Sequence, residues 1–174
     1  RVMINAVGSG IGSAAVQLAS RAGAFVIGNA SSEEKLKRAT ELGMDVGINR
    51  LNENIPERVM DVTSDSGVDL VFEHVGGEIF QASLDSLAKD GRIVTCGGHA
   101  GEVVDLDIIP FFRSQKSVIG SFVYTREEVN HCYSLAARGQ ITPLVYASFP
   151  LEEAADAMRM MERREQFGKI VLTT

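Results

Sequence analysis

Short apolar runs alternate along the chain with segments in which apolar residues recur every three or four positions. Glycines and small polar residues separate the two. Val2-Met3-Ile4 is the first apolar run and reads as a strand, followed by the glycine-spaced turn Gly8-Ser9-Gly10-Ile11-Gly12. A helical pattern with Val16 and Leu18 follows, from Ser13 to about Ala22, and Gly23 stops it. Ala24–Gly28 is the second predicted strand. Ser31 or Ser32 then caps a helix carrying Glu33, Glu34, Lys35, Leu36 and Leu42, which Gly43 ends. Val46–Ile48 is a short third strand, and a helix runs from Pro56 to about Thr63. Val68–Phe72 is nearly continuous in apolar character, as a parallel strand buried on both faces should be. Gly76-Gly77 precedes a helix to about Leu87, Gly91–Cys96 is a fifth strand ending in Gly97-Gly98, and Ser117–Val123 is a sixth. This rhythm predicts an α/β fold: a doubly wound, six-stranded parallel sheet with helices on both faces.

After the sixth strand the beat changes. Thr125-Arg126-Glu127-Glu128 has the form of a capping box and opens a helix to Arg138, with Gly139 past its end. Pro143–Phe149 reads as extended, a helix starts at Pro150-Leu151-Glu152-Glu153 and runs to about Arg164, and Lys169–Leu172 is a last short strand. The result is a helix–strand tail on the sheet domain.

Composition narrows the classes of partner. The chain has 174 residues, 45% hydrophobic, with a net charge of −6, which argues against a nucleic-acid surface. The basic cluster Arg159–Arg164 contains Glu162 and lies on a helical pattern, so it reads as a solvated helix face. No stretch approaches the ~18 uninterrupted apolar residues of a membrane span, and the opening residues carry no leader pattern. Cys96 and Cys132 are isolated from one another, which fits a reduced, cytoplasmic protein. The first residue already stands at the mouth of a strand, so the chain reads as part of something longer.

The first turn carries the chemistry. Strand, glycine turn and helix together form a phosphate cradle: glycines let an anion approach the backbone, and the helix N-terminus offers unpaired N–H groups and a positive dipole end. The turn is a weak signal alone, and the sheet pattern around it supplies the context. In a doubly wound sheet the ligand lies across the carboxyl ends of the strands. Asn29, 19 positions after Gly10, occupies the place where an NAD site puts a ribose-binding acid. The run Asn29-Ala30-Ser31-Ser32 has no carboxylate, Lys35 follows one turn later, and Arg50 lies after the third strand. Hydroxyls and cations attract a 2′-phosphate that a carboxylate would repel, so NADP is favoured over NAD.

The same edge receives Glu73-His74-Val75-Gly76, Cys96-Gly97-Gly98-His99 and Gly120-Ser121-Phe122-Val123. His74 reads as pocket-lining or surface, with proton donation the alternative. His99 reads as solvated, His131 as remote, and Cys96 as a small buried packing residue. No His, Cys or Asp grouping has metal-ligand spacing, and no Ser-His-Asp arrangement is present. An S-adenosylmethionine methyltransferase also uses such a loop, but with acids where Asn5-Ala6 and Asn29 stand. A non-catalytic nucleotide-binding module is a further alternative.

The order AVGSGIG, VQLA, AGAFVIGNASSEEKL, GVDLVFEHVGG, DGRIVTCGG, FFRSQKSVIGSF and FPLEEAADAMRMMERREQFGKIVL, spanning Val2 to Leu172, resembles the medium-chain dehydrogenase/reductases. These are the zinc-type alcohol dehydrogenases and the zinc-free quinone oxidoreductases. The resemblance implies a Rossmann cofactor domain over residues 1–124, with 125–174 returning to a GroES-like catalytic domain that has no counterpart here. Zinc ligands would lie in that domain and none in this segment. By position, Gly8, Ser9, Gly10, Ile11 and Gly12 would hold the pyrophosphate, and Ser32, Lys35 and Arg50 the adenosine end. Val75, Gly97 and Gly98 would flank the nicotinamide ribose, and Ser121 and Phe122 the carboxamide. Phe112 and Arg113 match a position facing the active-site cleft in some members.

The implied activity is hydride transfer between nicotinamide C4 and a carbonyl, alcohol, quinone or activated double bond. Two departures stand out: the glycine spacing is G-x-G-x-G, and Arg50 replaces a tyrosine common in zinc-free members. The family also often dimerises through its sixth strand. The apolar edge Ser117–Val123 is therefore expected to pair with a second copy, unless the chain's own tail covers it.

Overall fold

The computed structural model describes residues 1–174. Eight strands and seven helices follow one another as β1 (Val2–Ile4), α1 (Gly10–Arg21), β2 (Val26–Ala30), α2 (Glu33–Glu41), β3 (Val46–Asn49), α3 (Ile55–Val62), β4 (Val68–Glu73), α4 (Gly77–Asp85), β5 (Leu87–Thr95), α5 (Ile108–Arg113), β6 (Ser117–Gly120), α6 (Arg126–Ala137), β7 (Val145–Pro150), α7 (Ala154–Glu162) and β8 (Lys169–Thr173). A 3-10 turn, Leu151–Glu153, leads into α7.

Six strands form one sheet in the order β3-β2-β1-β4-β5-β6, every pairing parallel. β1 is short but central: Met3 stands between Ile27 of β2 and Val71 of β4. Its two neighbours lie in opposite winding directions, so the crevice where the order reverses opens beyond Ile4. Each face of the sheet has its own core. Met3, Ile27, Val71 and Ile93 pack on Ile55 and Val59 of α3 and on Phe80 and Leu84 of α4. Ile4, Val26 and Ala30 pack on Val16 of α1 and on Leu36 and Ala39 of α2. Helix starts follow the expected side-chain caps: Ser32 on Lys35 N, and Thr125 in a full capping box with Glu128.

The tail folds back over the second face. β7 and β8 pair in parallel as a separate two-stranded sheet. Phe167 enters the second core beside α2, and the Gly168 amide donates to the Gly8 carbonyl at 2.9 Å. Gln17 of α1 exchanges hydrogen bonds with the backbone of Thr142.

Several sequence expectations shift. β2 lies two residues later than Ala24–Gly28, because its register is set by Val2 pairing with Val26. The helix expected to reach Leu87 stops at Asp85, and Leu87 opens β5 by pairing with Val68. A bulge follows, with Asp90 in a left-handed conformation. α5 is an element the pattern did not predict. β6 ends at Gly120 rather than Val123: Gly120 faces Thr95, the last residue of β5, so nothing remains for later residues to pair with. Arg164 is not on a helix face; α7 ends at Glu162 and Arg164 has a left-handed φ of 56°. Cys96 is exposed rather than packed inside, because β5 ends one residue before it. No helix is long and apolar enough to cross a membrane.

Candidate functional site

The crevice begins at the turn after β1, which is braced from below by buried amides. Asn5 Nδ2 donates to Ser83 Oγ at 2.8 Å, and its Oδ1 accepts from Asn29 Nδ2 at 2.5 Å. Asn29 Oδ1 accepts from the Ala6 amide at 3.2 Å. Both polar ends of Asn29 are thereby spent on shaping the turn. Ala6 takes a left-handed φ of 48°, and Ser9 caps α1 by accepting from the Gly12 amide at 2.9 Å.

The three glycines of the turn serve different ends. A side chain at Gly12 would collide with the Ala6 carbonyl, so Gly12 permits α1 to pass close over β1. Over Gly8 and Gly10, by contrast, a side chain would meet only flexible stems: Lys35 at Gly8 and Lys169 at Gly10. A helix N-terminus covered only by pliable, positively charged side chains is chemically suited to a diphosphate. The residues present therefore fit such a group.

Beyond the turn the crevice becomes cationic. Gly8, Ser9 and Ser31 line one cleft with Lys35, Arg50, Arg164 and Gln166. It continues into a second cleft that adds Ser32, Arg38 and Arg163, offset by Glu34 and Glu165. Lys35 Nζ donates to the Arg164 carbonyl at 2.5 Å. Partial burial, reinforced by Arg50 and Arg164 and opposed by Glu34, holds the Lys35 ammonium below its ordinary pKa. Arg38 lies over the Phe167 ring at 4.5 Å and is fixed between the tail and α2. On the other side the crevice runs past Asn29 and Arg50 to Val75, Glu78 and His99.

At the end of β4, Glu73 is fully buried and folds back on its own turn. Its carboxylate accepts from the amides of Val75 (2.7 Å) and Gly76 (3.0 Å) and lies 3.4 Å from Thr95 Oγ1. His74 follows, nearly buried, with Nε2 3.2 Å from Ser9 Oγ. His99 is exposed and His131 lies on α6. Although the Cys96 residue is exposed, partial desolvation of its thiol, with a smaller contribution from Glu73, raises that thiol above its ordinary pKa.

The structure thus gathers Gly8, Ser9, Ser31, Ser32, Lys35 and Arg50 around adjoining clefts, with Asn29 and Val75 on the continuation. Gly10, Ile11 and Gly12 form the first turn of α1. Gly97 packs directly over the His74 carbonyl, and Gly98 lies near Gly101. Ser121 and Phe122 stand past the end of β6, both exposed and apart from these clefts. Phe112 and Arg113 are exposed on α5. Sequence reasoning missed Arg164, Gln166 and Lys169, which come from the far end of the chain. The available signal was the Gly168-Lys169 pair at the start of the last strand, a glycine followed by a cation. No group of three His, Cys, Asp or Glu side chains is placed to hold a metal ion, so these residues do not fit a zinc site.

Comparison with known proteins agrees with this geometry. The chain is 35% identical over 173 residues to the NAD-dependent alcohol dehydrogenase of Sulfolobus acidocaldarius, covering 98% of this chain and 49% of the relative. It is 33% identical to the quinone oxidoreductase of Salmonella typhimurium, over 98% of this chain and 55% of the relative. A mycobacterial protein solved in complex with NADPH superposes with a TM-score of 0.85 at 29% identity, over 99% of this chain and 57% of that one. The chain therefore spans about half the length of the curated relatives it matches. The sequence profile of the zinc-binding dehydrogenases matches residues 10–138. With its doubly wound sheet and the crevice at its switch point, the chain belongs to the zinc-binding dehydrogenase family, the medium-chain dehydrogenase/reductases.

Proposed function

We propose that this chain is the NADP(H)-binding portion of an oxidoreductase that moves a hydride between nicotinamide and an alcohol or carbonyl, a quinone or an enoyl substrate. The observation that carries the reading is the convergence of Lys35, Arg50 and Arg164 beside a turn covered at Gly8 and Gly10 only by flexible lysine stems, with no carboxylate at the end of β2. Membership of the family sets aside the methyltransferase alternative.

The cofactor when bound supplies the hydride chemistry at nicotinamide C4. This chain's residues bind and orient it. Amides at the start of α1 hold the diphosphate, with Lys169 over Gly10 neutralising its charge. Lys35, Arg50 and Arg164 take the 2′-phosphate, and Ser31 and Ser32 present hydroxyls beside it. Val75, Gly97 and Gly98 form the floor on the nicotinamide side; Ser121 and Phe122 reach the carboxamide. Residues 1–124 constitute the cofactor domain, and 125–174 return toward a catalytic domain that completes the substrate pocket. The uncovered edge of β6 pairs with a second copy. NAD(H) would occupy the same turn but leave the three cations without an anion, which is why NADP(H) is the preferred reading.

Thermal melts of the chain in NADPH and NADH test this. Stabilisation growing with the logarithm of concentration is expected for both, at lower concentration for NADPH. Equal or stronger stabilisation by NADH overturns the 2′-phosphate assignment, and no response to either overturns the dinucleotide reading.

A further inference from the structure

His74 is 8% exposed, with its ring against Phe72 and Gly97 packed over its carbonyl. Nε2 lies 3.2 Å from Ser9 Oγ, and Nδ1 is buried with no partner. Burial holds the imidazole below its ordinary pKa; the Glu73 carboxylate opposes this and His99 adds to it. The ring is therefore neutral at pH 7 and carries one N–H. On Nδ1 that hydrogen would be a buried donor without an acceptor, the more costly kind of orphan. On Nε2 it donates to Ser9, leaving only an idle lone pair on Nδ1.

Ser9 Oγ then accepts twice, from His74 and from the Gly12 amide at 2.9 Å. A hydroxyl has two acceptor sites and one hydrogen. With both sites filled, the hydrogen is free only to donate, and Ser9 lines the cleft beside Gly8 and Lys35. We infer that His74 is a positioning residue: it makes Ser9 a dedicated hydrogen-bond donor to an oxygen of the bound diphosphate. The inference rests on the dinucleotide reading and adds to it a contact that does not distinguish NADPH from NADH.

Imidazole nitrogen NMR on the nucleotide-free chain, assigned with the His74→Gln variant, should show the Nε2–H tautomer. Affinities for NADPH and NADH follow in His74→Leu, His74→Gln, Ser9→Ala and the Ser9→Ala/His74→Leu double variant, each first checked for a native melt. His74→Leu should weaken both nucleotides by about tenfold, the scale of one charge-assisted hydrogen bond. His74→Gln, which keeps an N–H near the Nε2 position, should restore most of that loss. In the Ser9→Ala background His74→Leu should change little. An Nδ1–H tautomer, additive losses, or a Gln variant as weak as Leu overturns the assignment while leaving dinucleotide binding intact. Failure of the unaltered chain to bind either nucleotide overturns both.

Discussion

A methyl group added at Gly12 would be driven into the Ala6 carbonyl, whereas one added at Gly8 or Gly10 would meet only the pliable stems of Lys35 and Lys169. Gly12→Ala is thus expected to cost about 2–3 kcal/mol and lower the melting temperature by roughly 5–10 °C. Gly8→Ala and Gly10→Ala should melt within about 1 kcal/mol of the parent yet bind NADPH at least about tenfold more weakly, because they displace cations and close the backbone. Calorimetry and nucleotide titration on the three variants separate the two roles. Lys35→Ala should weaken NADPH by about tenfold or more and leave NADH nearly unchanged. His74 adds a pH signature. Its folded-state pKa lies below its ordinary 6.5, so the unfolded chain binds more protons in the window just below that value. Stability should therefore rise as pH increases toward 6.5 and level off above it, and His74→Gln should flatten that limb in melts across pH 5–8. The three turn glycines look alike in sequence. What distinguishes them is a carbonyl on the preceding turn and two lysines, one 129 residues upstream of Arg164 and one from the last strand, none of which local spacing reveals.

At the level of elements, β6 is the exposed flank of the sheet. All four of its residues are exposed, Val118 and Ile119 among them, and the tail covers the α1–α2 side instead. An uncovered apolar edge favours pairing with another strand. Ile119→Lys should convert a dimer to a monomer in sedimentation velocity with the melt unchanged; a parent chain that sediments as a monomer removes the proposal. The strands were legible because buried parallel strands announce themselves as apolar runs. Their limits were not, since pairing partners decide them: β6 ends where β5 does, and Leu87 leaves a helical pattern to meet Val68. α5 leaves little trace in the sequence because it is one short turn and a half with Pro110 inside it, capped only by Asp107.

Over the whole molecule, the net charge of −6 contrasts with a crevice where Lys35, Arg50 and Arg164 meet. The local field, rather than the global one, governs an anionic ligand at distances under the ~8–10 Å Debye length of physiological salt. NADPH affinity should consequently fall more steeply with added salt than NADH affinity, as isothermal titration at two ionic strengths will show. Equal slopes would mean that the cations do not meet the extra phosphate.

The hydrogen bond from Gly168 to Gly8 joins a residue near the last strand to one just past the first. A coenzyme held beside that seam would touch two stretches far apart in sequence. Coenzyme affinity would then answer to the packing of residues 163–168 as well as to the glycine turn.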